Sequence, residues 1–120
     1  MVDFSGQVAS ESIGINQYSG TGGQTDTAVG AIEGFDGKGK SIIACRSTAK
    51  NGKISTIVPF LSEGTAVTLH RSNTDYIVTE HGIARLTGLT INERTLALIN
   101  IAHPDFREEL KEKAQNMGYL

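Results

Sequence analysis

The chain is poor in the residues that mark specialised proteins. It has 120 residues, with one cysteine and two prolines. A lone Cys45 excludes an internal disulfide framework and fits a reducing compartment. Scarce proline and few charge runs argue against disorder. Eleven Lys and Arg stand against thirteen Asp and Glu, for a formal net charge of −2. No basic stripe invites nucleic acid. No apolar run approaches the roughly 20 residues that span a bilayer, and Met1-Val2-Asp3-Phe4 leads straight into polar sequence without a secretory leader. His70, His81 and His103 lack metal-ligand spacing, and Cys45 has no cysteine partner, so no metal site is expected. These absences leave one cytoplasmic domain over 1–120, without membrane or nucleic-acid partners. A chain of this length buries roughly 65% of its unfolded surface.

What the chain does have is glycine, fourteen in all. Gly20-Thr21-Gly22-Gly23-Gln24-Thr25-Asp26 packs three of them into four positions. Glycine loses the most backbone freedom on folding, so such a turn belongs where positive φ or a close approach is required. Asp26 is expected to cap a short helix through Ala28, Val29 and Ile32. The turn then offers free N–H groups at a helix N-terminus, suited to an anion or a developing oxyanion. A solvated loop is the equal alternative.

Around this turn, Val2, Phe4 and Val8 suggest an opening strand, and residues 14–39 read as loop, short helix, loop. Ser41-Ile42-Ile43-Ala44-Cys45 is apolar after its serine, the pattern of a strand covered on both faces. Lys50-Asn51-Gly52-Lys53 holds an Asn-Gly turn signal, predicting a hairpin into Ile54–Phe60 that Pro59 confines to an edge or an ending. Thr65–Arg71 alternates as a strand, with Val67 and Leu69 on one face and Thr68 and His70 on the other. Tyr76-Ile77-Val78 is a further strand. Thr90-Ile91-Asn92-Glu93 has the form of a capping box before a helix with Ile91, Leu98, Ile99 and Ala102 on one face. Pro104 starts a last helix, with Phe106, Leu110, Ala114 and Met117 inward, charges outward, and Gly118 as its stop. The class is α/β, with four or five central strands and C-terminal helices.

Glu80 is the most chemically suggestive carboxylate. It follows a buried-looking strand and precedes Gly82, where open α/β sheets place ligand sites. A surface carboxylate at a strand end is the competing reading. Lys50 and Lys53 flank the hairpin turn, where lysines usually meet only water. The glycine turn matches neither the dinucleotide fingerprint nor the phosphate loop, and Ser47-Thr48 lacks the G-x-S-x-G setting of a serine hydrolase.

Four segments in order, GTGGQTD (20–26), KSIIACRSTAKNGKISTIVP (40–59), DYIVTEHGIARLTG (75–88) and INIAHPDFREEL (99–110), resemble the C-terminal part of the acetyl-CoA hydrolase/CoA-transferase family. With the linking sequence they cover nearly the whole chain. The resemblance implies a fold of the NagB/RpiA/CoA-transferase type, with a central mixed or mostly parallel sheet. It implies ping-pong transfer of CoA from an acyl-CoA to a small carboxylate of the acetate, butyrate or 4-hydroxybutyrate type, through a glutamyl-CoA thioester. Coenzyme A is then a substrate, and no tightly bound cofactor is expected. Carried across, Gly22 and Gly23 form the oxyanion turn, Glu80 lies beside the thioester, and Ser19, Gly23 and Lys53 contact CoA. Where family members commonly have phenylalanine, this chain has Thr27.

The nucleophilic glutamate lies upstream of the glycine turn in the family. Glu11 is the only upstream glutamate here, and its Ala9-Ser10-Glu11-Ser12 setting resembles a non-nucleophilic segment. The chain is therefore expected to be a C-terminal fragment of a longer enzyme, inactive alone. Its partners would be acyl-CoA, a carboxylate and the missing N-terminal half, in a homo-oligomeric parent. Acyl-CoA hydrolysis by the parent and a non-catalytic CoA-binding or assembly module are the alternatives.

Overall fold

A computed structural model describes all 120 residues. Its core is built by the two ends of the chain. Val2, Phe4 and Val8 from the start pack with Leu98, Ile99, Ile101, Leu110 and Ala114 from the end, around Ile57, Leu69, Ile77 and Leu86. Strand β1 (Val2–Asp3) pairs in parallel with β7 (Ile57–Val58), so the opening residues lie inside rather than along the surface. A second short hairpin, β2 (Ser12–Ile13) with β3 (Asn16–Gln17), leads to the glycine turn. Helix α1 follows at Gln24–Ile32.

The central sheet is mixed and has three strands, in the order β4-β8-β9. Strand β4 (Ile42–Ala44) runs parallel to β8 (Tyr76–Thr79), and β9 (Gly82–Arg85) returns antiparallel to β8. The remaining strands form separate pairs, so the expected four or five central strands reduce to three. Helix α2 (Ile91–Ile101) closes one side of this sheet, and α3 (Pro104–Asn116) packs on α2. The α/β class with a mixed sheet and C-terminal helices is thus observed.

The C-terminal signals act as their chemistry requires. The Thr90 hydroxyl accepts from the Glu93 N–H, while the Glu93 carboxylate accepts from the Thr90 N–H at 2.8 Å. Pro104 opens α3, where its missing N–H costs nothing, and Gly118 leaves at φ +70. On the outer face Lys113 pairs with Glu109 and Lys111 with Glu108.

Four expectations are corrected. Gly23, not Asp26, occupies the N-cap of α1, and Asp26 lies inside the first turn, where it complements the helix dipole. Residues 41–45 are not covered on both faces: Ile42 is 56% exposed on the sheet edge. The Asn-Gly hairpin exists, yet it joins β5 (Thr48–Ala49) to β6 (Ile54–Ser55), with Lys50, Asn51 and Gly52 all at positive φ. Strand β4 takes no part in it. Residues 65–71 form no strand; their only ladder contact is one bridge from Val8 to Leu69, supplemented by side-chain hydrogen bonds to Ser12, Gly14 and Thr25, and Leu69 and Thr68 are buried while Val67 faces out. Alternation recorded the burial of Leu69 but not a ladder, because no neighbouring strand lies along the whole segment.

Candidate functional site

Glu80 sits in the two-residue turn between β8 and β9, opposite the Thr79–Gly82 pair. The turn is anchored from below. The buried Thr79 hydroxyl donates to the Ile101 carbonyl at 2.6 Å and accepts the His81 N–H at 3.1 Å. Glu80 is thereby fixed at its base and half-exposed at its carboxylate.

That carboxylate is held by Ser47, a residue sequence reasoning passed over. The Ser47 hydroxyl donates to Oε1 at 2.6 Å, and the Ser47 N–H donates to Oε2 at 2.9 Å. Ser47 is itself fully buried, and its carbonyl accepts the Thr56 N–H at 2.9 Å. Donors to both oxygens favour the ionised form. The Ser47 hydroxyl leads, followed by the N–H groups of Glu80 and Ser47, with a small aid from His81; together they lower the Glu80 carboxyl from 4.5 to about 2. A carboxylate this firmly ionised suits a hydrogen-bond acceptor or a fixed charge better than a proton carrier near neutrality. The signal was present in the sequence only as a serine 33 positions away, with no local motif.

Two histidines complete this neighbourhood, His81 with its Nε2 at 3.9 Å from Glu80 Oε1. His81 lies edge-on to His103 at 5.2 Å, and His103 meets Phe106 at 6.2 Å. His103 Nδ1 accepts the Asp105 N–H, capping α3. Phe106 in turn lines a groove of about 290 Å³ with Lys53, Ile54, Val58, Pro59 and Leu110. Lys53, exposed at the β5–β6 turn, lies in this wall, and Glu80 does not. Cys45 is half-buried near this wall; burial pushes its thiol up, as expected of an unreactive side chain.

The glycine turn forms a second neighbourhood. Gly22 has φ +60, the left-handed value the glycines predict, and Gly23 follows at φ −96 to cap α1. A methyl at either position would meet nothing within 4 Å, so both face open space. Neither N–H donates to an acceptor in the chain. The Thr25 hydroxyl ties the first turn of α1 to the Thr68 carbonyl. Thr27 is exposed and turns its hydroxyl back to the Gly23 carbonyl at 3.0 Å. It braces the turn by a hydrogen bond rather than an apolar anchor.

Ser19 lies just before this turn. Its N–H donates to the Glu11 carbonyl at 3.3 Å and its carbonyl accepts from Gln17 at 2.7 Å. Glu11 is buried, with the Gln17 amide on Oε1 at 3.2 Å. Its other oxygen, Oε2, is buried and has no partner in the chain. Ser19 thus precedes Gly22 and Gly23 in the same turn, Glu80 is held by Ser47, and no hydrogen bond joins Lys53 to Glu80 or either of them to the glycine turn. No cluster of three or more potential metal-binding side chains occurs in the structure.

Comparison with known proteins places this geometry in a family. A family profile described as the acetyl-CoA hydrolase/transferase C-terminal domain matches residues 1–114. Succinyl-CoA:cyclohexane-1-carboxylate CoA transferase of Geobacter metallireducens is 53% identical over 119 residues, which are 99% of this chain and 27% of that protein. The 4-hydroxybutyrate coenzyme A transferase of Clostridium kluyveri is 56% identical over 109 residues, 91% of this chain and 25% of that one. Among solved structures, RipA from Yersinia pestis superposes with a TM-score of 0.83 at 42% identity, covering 99% of this chain and 26% of its own. The chain spans about a quarter of the length of the relatives it matches.

Proposed function

The chain belongs to the acetyl-CoA hydrolase/transferase C-terminal domain family, and from that premise we propose that it is the oxyanion-and-CoA portion of a longer acyl-CoA:carboxylate CoA-transferase. The observation that carries this reading is the pair of unengaged N–H groups of Gly22 and Gly23, at the open N-terminus of α1. A thioester carbonyl attacked by a carboxylate becomes an oxyanion. Two N–H donors and a helix N-terminus stabilise that charge where it develops.

In the proposed reaction a glutamate from the remaining polypeptide attacks the acyl-CoA carbonyl. The tetrahedral oxyanion collapses, the C–S bond breaks, and CoA thiolate leaves a mixed anhydride. The thiolate then attacks the glutamyl carbonyl and the first carboxylate departs, giving the glutamyl-CoA thioester. The acceptor carboxylate reverses both steps. In this scheme Glu80, ionised and oriented by Ser47, accepts a hydrogen bond from the CoA moiety beside the thioester. Lys53 and Ser19 bind the rest of CoA, Lys53 as a point charge suited to phosphate.

The isolated 120-residue chain is expected to show no acyl-CoA:acetate exchange, because oxyanion donors without a nucleophile form no covalent intermediate. Appreciable turnover by the isolated chain would overturn this assignment. The family's own description favours a second reading, in which water replaces the acceptor acid. Thioester loss by the full-length parent that is unaffected by acetate would select hydrolysis over transfer.

A further inference from the structure

Strand β4 is an unfinished edge. Ser41 accepts the Tyr76 N–H at 3.0 Å, and the Cys45 N–H donates to Val78 at 2.9 Å. Ser41, Ile43 and Cys45 therefore turn their backbone groups toward β8, and alternation aims those of Ile42 and Ala44 the other way. No acceptor in the chain takes the N–H of Ile42 or of Ala44. Beside this edge lies a groove of about 310 Å³ between α1 and β4, lined by Gln24, Thr27, Ala28, Ala31, Ser41 and Ile42 among others. The Ser41 hydroxyl in that lining is buried and has no partner. Ile32 and Phe35, at and beyond the end of α1, are exposed together with Ile42.

An apolar edge without proline, inward charge or bulge is the kind that soluble proteins do not leave open. A sheet of three strands is also short of the usual four to six. Relatives and the RipA structure carry this segment in chains about four times as long, so roughly three-quarters of each of those chains lies outside it.

The geometry points to β4 as a strand-docking edge: a β-strand from the remaining three-quarters of the enzyme pairs with the free N–H and C=O groups of Ile42 and Ala44, and its side chains fill the α1–β4 groove. This rests on the reading of the chain as part of a longer enzyme. Because α1 begins at Gly23, the same contact also sets the position of the oxyanion turn.

The test is hydrogen exchange at the Ile42 and Ala44 amides. It compares the isolated chain with a fusion in which these 120 residues replace the matching segment of the Geobacter transferase. A mixture of the chain with the remainder of that transferase carries the same readout should the fusion be insoluble. Exchange at both amides should slow on the order of a hundredfold in the longer protein, as for paired strands. Ile42→Pro should abolish the protection of the remaining Ala44 amide and Ile42→Lys that of both positions, while the isolated variants keep their fold because the Ile42 N–H is unpaired there. Equal exchange in the fusion and the isolated chain overturns the proposal. So does concentration-dependent protection in the isolated chain, which would make a second copy the occupant. A fusion that is active with unprotected amides refutes the docking edge alone. Protected amides in an inactive fusion refute the catalytic reading instead.

Discussion

Helices α1 and α2 are similar in length and opposite in construction. Helix α2 is closed by a reciprocal capping box and buries Thr95, Leu98, Ile99 and Ile101. Helix α1 has no side-chain cap, starts at a glycine and buries only Ala28. One helix is complete by its own sequence; the other leaves its N–H groups and most of its apolar side chains unused. A helix that ends in open donors is poorly suited to holding the fold together and well suited to meeting something else. Between these two helices, buried side chains are thus concentrated on α2 and open donors on α1.

The sharpest way to break this contrast is truncation on each helix. Leu98 is fully buried, so Leu98→Ala should cost about 2–5 kcal/mol in urea unfolding. Ile32 is 46% exposed, and Ile32→Ala should cost roughly 0.5 kcal/mol or less. Similar costs for the two would show that α1 belongs to the stabilising core after all.

Next in size is the oxyanion turn. Gly23→Pro removes one N–H at the N-cap of α1, where φ of −96 would have to shift by about 30° to meet proline's ring. In the fusion enzyme kcat should fall roughly 10²–10³-fold, the usual loss for one oxyanion donor, with little change in KM. A fall confined to KM would place Gly23 in binding rather than in the transition state.

The same division explains what could be read from the sequence. The C-terminal elements were legible because Thr90, Glu93, Pro104 and Gly118 are local signals whose partners lie within a few residues. The Gly22 turn was legible for the same reason. Strand partners were not. Ile42-Ile43-Ala44 reads as a covered strand from its unbroken apolar run, while this chain supplies only one neighbour, β8. Ser47 escaped notice because its task is set across 33 residues by the return of β8 beside the β5–β6 hairpin. The resemblance named the family and the candidate residues, yet no motif spacing said that Ser47 would hold Glu80.

Ser47→Ala tests that hold and carries a smaller effect. The Glu80 carboxyl, held near 2, should rise toward its ordinary 4.5 without reaching it, since two N–H donors remain. Carbon-detected NMR titration of the isolated chain reads the midpoint directly. The sign for stability follows from the lowered value. Glu80 contributes fully above about pH 4.5, and the contribution is lost as pH falls through about 2. The variant should therefore show a shallower loss of stability across that window. An unmoved midpoint would mean that the Ser47 hydroxyl does not control Glu80.

The smallest expected effect lies back at α1. Thr27 is exposed and bonds the Gly23 carbonyl, so Thr27→Phe exchanges a polar brace for an apolar one at the same turn. In the isolated chain the phenylalanine has little to pack against, and stability should change by about 0.5 kcal/mol or less in either direction. In the fusion, an apolar cover over α1 would bury that ring and raise the unfolding midpoint relative to the isolated variant. The difference between these two shifts isolates the contribution of polypeptide that this chain does not contain. If the shifts are equal, α1 is solvated in the longer enzyme too, and its open face serves substrate alone. A larger shift in the fusion means that the helix presenting Gly22 and Gly23 is steadied from outside the domain.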